Sequence, residues 1–149
     1  MDLANSLESL ITTTAETFNK ISATEWTDKP NPRKWSKKEI LGHLIDSAMN
    51  NLKRFNEVQF FTEQPYVVQK YRQEELVKSN RYQELPIEHL IALWTLVNMQ
   101  LAYVLRALQN EMLEIAILIP EGEMQTVGWL ADDYVVHLRH HLEQIFVGE

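Results

Sequence analysis

The stretch Pro86–Leu108, PIEHLIALWTLVNMQLAYVLRAL, decides the fold. Ile87, Leu90 or Ile91, Trp94, Val97, Leu101, Val104 and Leu108 recur every three or four residues, which aligns them on one side of an α-helix. Pro86 suits the first helical turn, where a missing backbone N–H is of no consequence. A long helix with a single apolar seam is predicted, and such a helix needs similar partners.

The same periodicity appears on both sides of it. Upstream, Ser36-Lys37-Lys38-Glu39 fits a capping box, in which the serine oxygen and the glutamate close off free backbone amides. Leu41, Leu44, Ala48, Leu52 and Phe55 then continue an apolar stripe, and Trp35 is placed to staple against Ile40. Near the amino terminus, Leu3, Leu7, Leu10, Thr14, Phe18 and Ile21 predict a helix over about residues 3–23. Downstream, Thr126 can cap a helix whose inward positions are Val127, Leu130, Tyr134, His137 or Leu138, His141 and Ile145. All five prolines fall between these segments. Residues 60–85 read as a long connection with a short helix near 74–77. Ile115, Ile117 and Ile119 alternate as in a short extended segment. Four seamed helices in one domain over residues 1–149 predict an all-α four-helix bundle.

Composition narrows the function. The chain has no cysteine, which excludes disulfides, thiolate nucleophiles and cysteine-ligated metals, and leaves His, Asp and Glu as metal ligands. A net charge of −7 argues against nucleic acid as a partner. The cluster Arg33, Lys34, Lys37 and Lys38 reads as a solvated surface at a helix start. No secretory signal and no continuous apolar run of about 18 residues is visible, so a cytoplasmic protein without a membrane span is expected.

The histidines carry the chemistry. His137 and His141 are four apart, so on a helix they share a face, the spacing by which one helix gives two imidazoles to one metal. Leu138 stands where a metalloprotease helix would carry its glutamate. His43, in line with Ile40 and Ser47, is the candidate third ligand from another helix. The alternative is that all three are core or surface histidines satisfied by hydrogen bonds. His140 reads as solvent-exposed or adjacent to the pair, and His89 and Glu143 as surface residues.

Trp35-Ser36-Lys37-Lys38-Glu39-Ile40-Leu41-Gly42-His43-Leu44-Ile45-Asp46-Ser47 resembles the Trp-Ser, Glu and His-Leu-x-Asp-Ser signature of the DinB/YfiT-like superfamily. Tyr82, Leu85-Pro86 and Trp94-Thr95-Leu96-Val97-Asn98 resemble its third helix, and Tyr134 through Ile145 its closing helix. The resemblance covers nearly the whole chain in order. It implies an up-down-down-up bundle with a long crossover between the second and third helices. It also implies one divalent metal on His43, His137 and His141, with zinc or nickel as the ions that suit imidazoles.

Metal-dependent hydrolysis of a small molecule, or transfer of a low-molecular-weight thiol such as bacillithiol, is the chemistry the resemblance implies. A non-catalytic metal- or ligand-binding bundle is the alternative. Asp46 and Tyr134 are the residues predicted to assist a reaction. Against that stand an ordinary exposed helix acid and a core tyrosine. Asn98 is expected to make a buried interhelical hydrogen bond, and the four tryptophans to be packing residues. For partners, a homodimer remains open.

Overall fold

The computed structural model describes residues 2–148. Four long helices form the body: α1 Leu3–Phe18, α3 Lys37–Glu57, α5 Ile87–Ala107 and α7 Val127–Val147. Shorter pieces join them: α2 Ala23–Thr27, β1 Tyr66–Val67, α4 Gln73–Ser79, a 3₁₀ turn Tyr82–Glu84, α6 Asn110–Leu113, β2 Ala116–Leu118 and β3 Met124–Thr126.

The local signals account for these boundaries. Ser36 caps α3 in a complete capping box: its side chain accepts from the Glu39 N–H while the Glu39 carboxylate accepts from the Ser36 N–H. Thr126 caps α7 by accepting from the Trp129 N–H. The first helix is shorter than predicted. It ends at Phe18, the chain turns through Asn19–Ile21, and Ser22 caps the separate helix α2. A serine competing for backbone N–H groups starts a new helix more readily than it continues an old one.

Within the bundle α5 packs on both α1 and α3, and α3 packs on α7. Phe18 at the end of α1 meets the rings of Trp94 on α5 and Phe146 on α7. Arg106 near the end of α5 reaches Asn5 and Glu8 near the start of α1. By length and composition α5 would pass for a membrane span, which counting uninterrupted apolar residues did not suggest. Its buried residues Leu90, Trp94, Leu101 and Ala102 belong to the common core.

The extended segment expected at the alternating isoleucines is the strand β2, with Ile117 at its centre and Ile115 and Ile119 just outside it, but a sheet of three was not foreseen. β2 pairs parallel with β1 and antiparallel with β3. β1 and β3 are too short, at two and three residues, to show a period of two in sequence. The sheet ties the α3–α5 connection to the loop before α7.

Candidate metal centre

His43 lies in the second turn of α3 and is fully buried, while His137 and His141 project from α7 and are half-buried. The Nε2 atoms of His43 and His137 are 3.4 Å apart, and those of His137 and His141 are 3.1 Å apart. The three rings meet edge to face, with centroids 4.5–5.2 Å apart. One nitrogen from each residue thus falls within 4.8 Å of the other two.

Gln144 favours a lone pair of His141 at the meeting point. His141 Nδ1 lies 2.7 Å from the side-chain oxygen of Gln144, which can only accept, so Nδ1 carries the proton and Nε2 is left free. Gln144 also approaches His140, which is exposed and meets the His141 ring edge to face at 5.1 Å. Trp35 also lies against the His43 ring, with centroids 5.0 Å apart and planes tilted by 34°. His43 Nδ1 is buried without a hydrogen-bond partner among the described residues.

Burial, with the neighbouring His141 and His137 adding to it, pushes the pKa of His43 down to about 3. Burial, then His141 and His140, pushes His137 down to about 4. His141 is lowered by burial and His140, against the raising effect of Gln144. All three imidazoles are therefore neutral at pH 7, the state a metal requires of them. The donor set fits a divalent cation.

Asp46, one turn after His43, is buried rather than an exposed helix acid. Its Oδ1 accepts from the Tyr82 hydroxyl at 2.6 Å and from Asn80 Nδ2 at 3.1 Å, while Oδ2 is buried without a partner among the described residues. Burial raises its pKa to about 6, against the lowering effect of the Tyr82 hydrogen bond. Gly42 makes this possible. A Cβ there would sit 2.1 Å from Tyr82 Cδ2, so only glycine lets the ring lie across α3 beside the first histidine.

Tyr134 is buried, and its hydroxyl donates to Asn98 Oδ1; Asn98 Nδ2 in turn donates to the Trp94 carbonyl at 2.9 Å. This is the interhelical bond expected of Asn98. Trp26 and Trp94 are core, and His89 and Glu143 are exposed, as expected. Tyr134 and His137 also line a cleft of about 640 Å³, with Ser47, Asn51 and Arg54 from α3 and Tyr71 from the connection. Arg54, Tyr71 and Gln144 escaped the sequence reading because each is polar at a position that periodicity alone assigns to a surface or a loop.

Known proteins fix the family. The model of the DinB superfamily matches residues 6–145. The chain belongs to the DinB superfamily. A DinB-like protein from Bacillus subtilis, YfiT, has the same fold at a TM-score of 0.83 and 19% identity, over 96% of this chain and 81% of that one. YfiT is described as a probable metal-dependent hydrolase with an unusual four-helix bundle topology. No curated protein matches the chain in sequence.

Proposed function

We propose that this protein is a metal-dependent enzyme acting on a small molecule, with one divalent ion held by His43, His137 and His141. The observation that carries the proposal is the meeting of three neutral imidazoles beside a cleft of mixed polar and apolar lining, His137 belonging to both. An ion bound there supplies Lewis acidity, lowering the pKa of a water or small thiol in the open position. Zinc and nickel both suit an all-nitrogen set.

The chain's own residues prepare the site. Gln144 fixes the tautomer of His141, and Trp35 covers the His43 ring. Asp46, with a pKa of about 6 and an unpartnered Oδ2, is able to take up and release a proton near neutrality. Tyr134 is a positioning residue, because its hydroxyl is committed to Asn98 and burial pushes its pKa far up. Hydrolysis is the first reaction proposed, in keeping with the description of YfiT. Thiol transfer is the second, and a chain without cysteine would need its thiol as a cosubstrate. The up-down-down-up path and a cytoplasmic setting belong to the same proposal; the contact of Arg106 with the start of α1 supports the antiparallel pairing that path requires.

The test is turnover by protein loaded with zinc or nickel, across esters, amides and lactones and across pairs of a cellular thiol with an electrophile. Turnover in one class, abolished by chelation and by His43→Ala, is expected. Full metal occupancy with no turnover in any class would favour the non-catalytic metal- or ligand-binding bundle.

A further inference from the structure

We propose that Arg54 and Lys70 form an oxyanion subsite in the cleft beside the histidines. The substrate is then an elongated small molecule with a carboxylate or phosphate group at the end away from the metal. The identity of the bound molecule as a substrate rests on the function proposed above; the subsite itself does not.

Arg54 is a half-buried cation without an ion-pair partner among the described residues. Its Nη2 donates to the Gln69 carbonyl at 2.6 Å, Nη1 approaches Asn51 Oδ1 at 3.4 Å, and the guanidinium lies 5.6 Å from the Tyr71 ring centroid. Among the described residues no carboxylate forms an ion pair with it. Arginines that need a partner less have one: Arg72, Arg81 and Arg106 meet Glu75, Glu84 and Glu8. Glu57, one turn after Arg54, is already bound by the Tyr66 hydroxyl at 2.6 Å and by Lys53 at 3.3 Å. Burial holds the Arg54 guanidinium below its ordinary pKa, with the nearby Tyr71 and Tyr66 opposing the shift. A desolvated charge left alone is costly, so a site of this kind gains by accepting an anion.

The surroundings say where that anion comes from. Arg54, Lys70 and Tyr71 line both the cleft that holds His137 and an adjoining cleft of about 420 Å³. Lys70 is exposed and has no carboxylate partner among the described residues. Along α3 the chain climbs roughly 16 Å from His43 to Arg54, and an arginine side chain leans back toward the helix start. A molecule with its anionic end at Arg54 therefore extends along the cleft toward His137. The acids of the same cleft, Glu121 and Asp133, come from the β2–β3 turn and α7, while its cations come from α3 and the α3–α5 connection; Glu57 and Glu63 line the adjoining cleft, with Glu57 held by Tyr66 and Lys53. The planar fork of arginine matches a carboxylate or phosphate with two parallel hydrogen bonds, and the nearby lysine adds a point charge.

The test uses the full chain freed of metal by chelation, so that an anion cannot bind through an ion. Glutarate, inorganic phosphate and the neutral glutaramide are titrated while the Arg54 Nε–H resonance is followed by NMR. Glutarate or phosphate should shift that signal, and the responding probe tells carboxylate from phosphate. Affinity should fall roughly tenfold or more in Arg54→Gln, less in Lys70→Gln, and not at all in Arg72→Gln. If Arg54→Gln does not fold, Arg54→Lys should show the loss of the bidentate fork. A silent Arg54 signal with both anions, equal binding of glutaramide, or unchanged affinity in a folded Arg54 variant would overturn the subsite. Metal uptake is measured on the same samples. Anion binding without metal uptake would sustain the subsite and defeat the metal centre, and the converse would do the opposite.

Discussion

Tyr134 and His137 stand one turn apart on α7, and each joins that helix to a neighbour through a buried or half-buried polar cluster. The Tyr134 cluster is closed. The tyrosine donates to Asn98 Oδ1, and the asparagine donates to the Trp94 carbonyl. The His137 cluster is open: Nε2 atoms face one another at 3.1 and 3.4 Å, and Gln144 keeps the proton of His141 on the far side of its ring. A closed cluster holds helices together with atoms the protein already has. An open one brings three imidazole nitrogens together with at most a shared proton between them, and a cation can join all three. The difference separates a structural polar pair from a binding site on one helix.

The largest effect expected from this contrast is on metal affinity. Alanine in place of His43, His137 or His141 should weaken binding at least roughly a hundredfold, since a three-ligand site has no spare donor. His89→Ala and His140→Ala should keep a full equivalent, as read by competition with a chromophoric chelator. Loss in His140→Ala equal to that in His141→Ala would break the assignment of the pair.

Tyr134→Phe should do the reverse. It leaves Asn98 Oδ1 buried without its donor and should cost about 1–3 kcal/mol in urea unfolding, with metal binding retained. A variant of full stability that lost metal would make the two clusters one.

Acid should sharpen the contrast in metal-free protein. The folded pKa values of His43 and His137 are depressed to about 3 and about 4. Their stability contribution is therefore present above the unfolded value near 6.5 and is lost as pH falls through 4 and then 3. Asp46 has the opposite sign, being raised to about 6: its contribution is present below the unfolded value of about 3.8 and is lost as pH rises through 6. Urea unfolding from pH 7.5 to 4 should show a net fall. A flat profile would mean that the imidazoles are not held neutral by burial.

The smallest effect isolates the acid. Asp46→Asn removes the buried charge while keeping an acceptor for Tyr82, and should raise the melting temperature by roughly 3 °C at pH 8, corresponding to about 1 kcal/mol after solvent screening. At pH 4 little change is expected, and equal gains at both pH values would refute the shifted titration.

Much of this architecture was legible because long helices repeat their signal. The seam of α5 runs over some six turns, and the capping box of Ser36 and Glu39 fixes the start of α3 within a residue. The pair His137 and His141 could be read from spacing, but its meeting with His43 could not. No local pattern tells which residue of another helix will face it, and only the family resemblance supplied that adjacency. The connections were the least legible part. Asn80 and Tyr82 reach Asp46 from 34 and 36 residues away, and the small sheet depends on pairings between strands of two or three residues. Such contacts are set by the assembled fold rather than by neighbours in sequence.

The most direct test is elemental analysis and X-ray absorption of protein purified without a nickel column. One equivalent of zinc or nickel, with three imidazole nitrogens at about 2.0–2.1 Å if the ion is zinc, is the result expected; less than a tenth of an equivalent after incubation with either ion, or full occupancy in His43→Ala, would contradict it.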